Sequence, residues 1–300
     1  MHLCGMNPTD TTQNKKTTVL LTRSQEAALT QLLALARLNF SNPSYGPVKL
    51  RTIPLILGPS GVGKTHLVRE LAERLKLRVL KLSYGEWIIE AARHEPSTFR
   101  RIRQELDRGQ SILLHIDELD KFVFTTDPWS RALFGEVFGL LDRAPGATSH
   151  HAVEVGKGRL PGWTDEQVQQ LASNVFIVTS GTWMSLFEAR VRRPIGFWQG
   201  QESKGGIDLA ALRSAVRNQG IIPAELLNRL NEDWLVLEPY SENDFRALAK
   251  SMELSPDLFD PEEAVASGLN FRFLENRLTR SAVAAMQERE TLAAETLQQE

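Results

Sequence analysis

Residues Gly58 to Thr65 read GPSGVGKT, which fits the spacing G-x-x-x-x-G-K-[ST] at every position. That spacing serves phosphate binding. Gly58, Gly61 and Gly63 let backbone N–H groups turn inward around phosphate oxygens, with Pro59, Ser60 and Val62 completing the loop. Lys64 would reach the β- and γ-phosphates of a nucleotide such as ATP, and the Thr65 hydroxyl would bind Mg²⁺. A second stretch, SILLHIDELDK from Ser111 to Lys121, is an apolar run that ends on three acids. Carboxylates at the end of a buried strand are costly unless they are used. Asp117 is placed to hold the same Mg²⁺, directly or through water, and Glu118 to orient or deprotonate an attacking water. Asp120 and Lys121 read as solvated residues of the helix start that follows.

The loop can work only if a strand leads into it and a helix leaves it. Ile53 to Leu57 supplies an apolar run with Pro54 near its start, and KTHLVRELAERL supplies a helical pattern. Further strand-like runs occupy 77–82, 111–116, 174–179 and 234–238, with helical patterns around 64–75, 97–108 and 129–142. Strands alternating with helices predict an α/β fold, a three-layer P-loop domain on a mostly parallel sheet. Ser24 reads as the cap of the first helix, SQEAALTQLLALARLNF. Segments 143–173 and 185–207 read as irregular. No strand is expected after Pro239, where Ser241, Pro261 and Asn270 mark helix starts. The expected organisation is a flexible tail at 1–22, a nucleotide-binding α/β domain at 23–238, a helical lid domain at 239–290 and a C-terminal tail at 291–300.

Composition narrows the field. The chain has 300 residues, 42% apolar and 24% charged, as an ordinary soluble domain protein does. A net charge of −2 carries no global basic bias and argues against nucleic acid as the main partner. Arginines cluster at 100, 101 and 103 and at 190, 192 and 193, but Glu105 and Asp107 dilute the first group, so a ring interface or a solvated face fits better. Cys4 stands alone, so no disulfide forms within the chain, and a reducing, cytoplasmic location is expected. No apolar run is long enough to span a membrane, and the N-terminus has no secretory pattern. His150 and His151 lack partners at metal-ligand spacing.

Taken in order, GPSGVGKT, HIDELDK, VFIVTSGTW, GIIPAELLNRL and GLNFRFLENRL resemble an AAA+ ATPase over about residues 24–287, most of all the Clp branch of ClpX- and HslU-like unfoldases. The resemblance implies ATP hydrolysis with Mg²⁺. It implies that the strand at 174–179 lies between the two motif strands and carries a polar sensor at its end, Ser180 or else Thr179. PAELLNRL is similar to that family's arginine-finger box, so Arg229 would reach the nucleotide of a neighbouring subunit and stabilise charge on the transferring phosphoryl group. Arg272 matches the second sensor arginine of the lid, with Arg277 and Arg280 as competitors. A finger acting in trans implies a homo-oligomeric ring, usually a hexamer in that family.

The sequence also departs from the threading members of that branch. Their channel loop should fall near AARHEP, residues 91–96, which has neither an aromatic residue nor a glycine. Tyr84, Gly85 and Trp87 fall instead at the start of the preceding helix, and Trp87 reads as packing more than gripping. Ile195-Gly196-Phe197 matches a tripeptide with which ClpX-like proteins dock a ring-shaped peptidase, but it reads more as an anchor tucked against its own domain than as a docking knob. Residues 1–23 are too few for a separate substrate-recognition domain. Three roles follow: a remodeller that pulls on protein substrates, a non-threading switch that captures a partner in the ATP state, and a nucleic-acid-associated loader or regulator.

Overall fold

A computed structural model of the chain describes residues 20–41, 50, 52–87, 98–123, 137–143, 164–183, 209–232, 234–255 and 258–298. Loop 91–96, the Ile195–Phe197 tripeptide, His150, His151, Cys4, the arginines at 190, 192 and 193, and most of the tail at 1–22 lie outside them. Five strands, β1 (Leu55–Leu57), β2 (Arg78–Ser83), β3 (Ile112–Asp117), β4 (Val175–Gly181) and β5 (Leu235–Val236), form one sheet in the order β2-β3-β4-β1-β5. Every neighbouring pair is parallel. The two motif strands β1 and β3 therefore flank β4.

The central strands are mostly apolar before they reach the site, and β3 and β4 are buried at every residue. That pattern requires cover on both faces of a parallel sheet. Side chains alternate between the faces. Leu55, Leu57, Ile112, Leu114, Ile116, Val175 and Ile177 enter one core. Ile56, Leu113, Phe176, Val178 and Leu235 enter the other. The second core is roofed by α1 (Arg23–Ser41) and α2 (Lys64–Leu75), through Leu29, Leu32, Leu67 and Leu71. The first core is covered by α3 (Thr98–Leu106), α4 (Leu119–Val123), a helical stretch at 137–141, α5 (Asp165–Asn174), α6 (Leu209–Gln219) and α7 (Ala224–Leu227). Trp87 sits in it, 3% exposed, with its ring edge-on to Phe122 at 5.4 Å.

Two local readings are corrected. The first helix is capped by Thr22, not Ser24. Thr22 Oγ1 accepts from Gln25 N at 3.3 Å and Gln25 Oε1 accepts from Thr22 N at 2.9 Å, so Thr22 and Gln25 form a reciprocal capping box while Ser24 lies inside the first turn. The segment read as irregular at 143–173 contains most of α5. That helix is nucleated by a second such box, Thr164 with Gln167, and buries Leu171 alone, so its apolar periodicity is too thin to register in the sequence.

After β5 the regular elements among the described residues are helices: α8 (Glu242–Ser251), α9 (Pro261–Ser267) and α10 (Phe271–Gln298). Ser241 with Asp244, and Asp260 before Pro261, cap the first two. These helices enclose a core of their own, built from Tyr240, Phe245, Leu248, Phe259, Ala264, Phe273 and Leu274. Helix α10 runs past residue 290 to Gln298. Among the described residues no helix is long and apolar enough to cross a membrane.

Candidate active site

The loop Gly58–Thr65 joins β1 to α2. Gly61 and Gly63 have φ of 80° and 83°, values that only glycine adopts without strain. Gly63 occupies the N-cap of α2 and offers no side chain to its first turn. The first amides of α2 are thus left for an outside acceptor, and the helix dipole favours an anion there. Lys64 folds back along the loop, its Nζ donating to Gly58 O at 2.6 Å and to Pro59 O at 2.8 Å. Burial pushes Lys64 down to about 8, against the opposing pull of Asp117 and Asp120.

Strand alternation brings the next groups together. Leu113, His115 and Asp117 of β3 share a face with Phe176, Val178 and Ser180 of β4. Ser180 Oγ donates to Asp117 Oδ1 at 2.7 Å and lies 2.8 Å from His115 Nε2. The hydroxyl's only proton goes to Asp117, so His115 supplies the proton of its own contact with Ser180. A buried relay results: His115 Nε2–H to Ser180, and Ser180 O–H to Asp117. Thr179, the other sensor candidate, shares the opposite face with Leu55 and donates to Pro54 O at 2.9 Å. The fold therefore brings Ser180, and not Thr179, to the acids.

The second Asp117 oxygen faces the loop. Oδ2 accepts from Thr65 Oγ1 at 3.4 Å and lies 3.1 Å from Lys81 Nζ, which reaches across from β2. Burial alone would raise the Asp117 carboxyl, but His115, the Ser180 hydrogen bond and the Lys81 ammonium outweigh it and hold the group below its usual value. Burial likewise pushes His115 down to about 4, so its ring is neutral at physiological pH.

Thr65 and Asp117 offer two hard oxygens that converge, which suits Mg²⁺. Among the described residues no three His, Cys, Asp or Glu side chains gather into a metal site. A divalent ion here would take its remaining ligands from phosphate and water, as Mg²⁺ does with nucleotides. Lys81 shares Asp117 Oδ2 with any such ion, and nothing else in the donor set disagrees with it.

Glu118 leaves the strand in the left-handed region, φ 58°. Its amide donates to Asp117 Oδ1 at 3.0 Å, and its carboxylate pairs with Lys121 at 2.6 Å. The turn sends adjacent acids in different directions: Asp117 toward Thr65, Glu118 toward solvent-facing space. Asp120 is not the solvated bystander expected from the sequence. Its two oxygens accept from Thr182 N at 3.2 Å and Thr182 Oγ1 at 2.7 Å, pinning the exit of β4 beside Ser180.

Arg272 lies along the phosphate loop, its Cγ 3.4 Å from where a Gly61 side chain would begin. Arg277 turns away to Glu263 in α9. Arg229 is not brought to this site. Its Nε donates to both Asp142 oxygens at 2.9 Å, another guanidinium nitrogen donates to Glu225 O at 2.7 Å, and the group lies 4.3 Å over the Phe138 ring. Asp142 adjoins Arg143, which bonds to Asn39, Thr52 and Ala172 O beside the starts of β1 and β4. The phosphate loop leaves the other end of β1.

His115 and Lys81 were missed in the sequence. A histidine inside ILLHID and a lysine inside RVLKLS interrupt otherwise apolar strand positions, and both sit an even number of residues from an Asp117-level position in register. That is the signal that would have found them.

Fold and site together define a P-loop nucleotide-binding α/β protein. Residues 54–193 match the family model of the ATPase family associated with various cellular activities (AAA). The match supports an AAA+ ATPase and, with it, nucleotide binding and ATPase activity in general. It spans the phosphate loop, the acids and Ser180, and ends before Arg229 and Arg272. No curated protein matches the chain.

Proposed function

We propose that the protein is a Mg²⁺-dependent ATP hydrolase that works as a closed ring of its own copies, akin to the Clp branch, and uses the cycle to remodel a protein substrate in the cytoplasm. The observation that carries the hydrolytic part is the convergence of Thr65, Asp117 and Ser180 at the end of the phosphate loop. In this reading Gly58–Lys64 hold the phosphates and Thr65 and Asp117 serve the metal. Glu118 activates water, Ser180 senses the γ-phosphate or the water, and Arg272 reports to the lid. Arg229, far from its own loop, completes the neighbour's site.

A second reading, a switch that captures a partner in the ATP state without threading it, is favoured by Trp87. Of the two aromatics that precede loop 91–96, Trp87 is buried against Phe122 and has no surface with which to grip a chain, and Tyr84 is half-buried, edge-on to the same ring at 4.9 Å.

Mixing two inactive variants tests the ring. Lys64→Ala cannot bind nucleotide but still offers Arg229; Arg229→Ala binds nucleotide but lacks the finger. Co-assembled, they should regain a measurable fraction of wild-type phosphate release. If both variants assemble and the mixture stays silent, the trans role of Arg229 falls. If the wild-type protein binds ATP but never releases phosphate in any assembly state, the hydrolase reading falls with it.

A further inference from the structure

The outer face of the phosphate loop is held by donors from outside it. Asn270 Nδ2 donates to Ser60 O at 3.1 Å, Phe271 N to Gly61 O at 3.2 Å, and Gln25 Nε2 to Val62 O at 2.9 Å. Three successive carbonyls of the loop are thereby fixed outward. In a trans peptide the carbonyl and the following amide point in opposite directions. Holding Ser60, Gly61 and Val62 O outward therefore aims the amides of Gly61, Val62 and Gly63 toward the inner, phosphate-facing side. Two of the three donors come from the lid.

Asn270 is built for this position. It is 4% exposed and adopts φ 53°, a left-handed conformation that asparagine tolerates better than most residues. Its amide works in both directions: Nδ2 donates to the loop, while Oδ1 accepts from Tyr240 N at 2.9 Å, where the chain passes from the sheet to the lid. Tyr240 in turn accepts from Gln25 Nε2 at 3.1 Å, which closes the circuit back to Val62. The lid comes so close that a side chain at Gly61 would meet Leu269 O at 2.6 Å.

From these contacts we infer that Asn270 is a positioning residue that fastens the lid to the back of the phosphate loop, so that the lid's angle follows the loop's conformation through backbone carbonyls. The inference rests on the reading of Gly58–Thr65 as a nucleotide loop only for its second half. The fastening itself needs no nucleotide. It is also separate from Arg272, which lies two residues on in the first turn of α10 with its Cγ along the loop.

The test uses the full chain with spin labels at Arg69 on α2 and Arg280 on α10, in a background where Cys4 is Ser. Asn270→Gly keeps the left-handed backbone and removes only the side chain; Arg272→Ala removes the guanidinium and keeps Asn270. Without nucleotide, the interlabel distance should be narrow in the unsubstituted background and in Arg272→Ala, and broad in Asn270→Gly. A narrow, unshifted distribution in Asn270→Gly overturns the fastening, whatever the protein does with nucleotide. With a slowly hydrolysed ATP analogue, Asn270→Gly should bind about fivefold more weakly, the loss of one hydrogen bond's worth of preorganisation, and its distance should not respond to binding. A normal response in Asn270→Gly, with loss of the response only in Arg272→Ala, would assign the coupling to the guanidinium instead. Failure of the unsubstituted protein to bind the analogue would count against the nucleotide reading, leaving the first measurement to decide the fastening.

Discussion

The ends of β3 and β4 differ from the surroundings of Arg229 in how their charged groups are held. At the strand ends every polar group is interlocked within the chain: His115 to Ser180, Ser180 to Asp117, Asp117 to Thr65 and Lys81, Asp120 to Thr182. Burial is nearly complete at Ser180 and Asp117, 0% and 8% exposed, while Lys81 reaches Asp117 from the solvent side. Arg229 by contrast is held by an ion pair that is partly in water, a backbone carbonyl and one aromatic face. The first arrangement is preorganised by the fold itself, as an electrostatic site must be if it is not to reorganise during reaction. The second is held by fewer and more exposed contacts, as the proposed trans role of Arg229 would require. If the proposed roles hold, a residue that acts on its own chain is locked by that chain, and one that acts on a neighbour is kept available.

The sharpest way to break this contrast is Glu118→Gln. If the strand-end groups act in cis, this change removes the base from its own site and leaves the loop intact. ATP binding should stay near wild type while hydrolysis falls about a thousandfold, within the range for loss of a general base. Phosphate release measured beside nucleotide affinity decides it. Unchanged turnover would remove Glu118 from the mechanism and leave Lys121, its ion-pair partner, as a purely structural neighbour.

The contrast also explains what the sequence disclosed. The phosphate loop and the acids were legible because their chemistry is local: glycines where φ must be positive, and carboxylates where an apolar strand stops. Strand order and which hydroxyl faces Asp117 were legible only through resemblance and alternation, since Ser180 and Thr179 are adjacent and register alone separates them. Asp120 was misread, Lys81 was passed over, and Asn270 was read only as a helix start, because their partners are distant in sequence: Thr182, Asp117 and Ser60. Helix α5 was hidden for another reason, a polar face so broad that one buried leucine carries its packing.

The buried relay should also show itself in stability. His115 titrates at about 4 in the folded protein against 6.5 as a free side chain. Between those values the unfolded chain binds a proton that the folded chain refuses, so stability is full above pH 6.5 and falls as pH drops toward 4. At pH 5.5 the loss from this residue is about 1 kcal/mol. Denaturant unfolding at pH 7.5 and 5.5 should show wild type losing that much more than His115→Gln. An identical loss in both would mean that the ring is hydrated and free to protonate, and that the strand ends are less closed than their geometry implies.

The smallest expected effect lies on the other side of the contrast. Asp142→Asn weakens the resting place of Arg229 without touching the loop. Both partners are substantially exposed, with side chains at 27% and 43%, so fold stability should change by less than about 1 kcal/mol. If Asp142 only parks the guanidinium, releasing it favours the neighbour's phosphate, and turnover in the assembled state should rise by about twofold to threefold, an effect that disappears in the Arg229→Ala background. A fall as deep as that of Arg229→Ala itself would show the opposite: that Asp142 aims the guanidinium at the neighbour, and that the residue at this edge is as firmly preorganised as those at the strand ends.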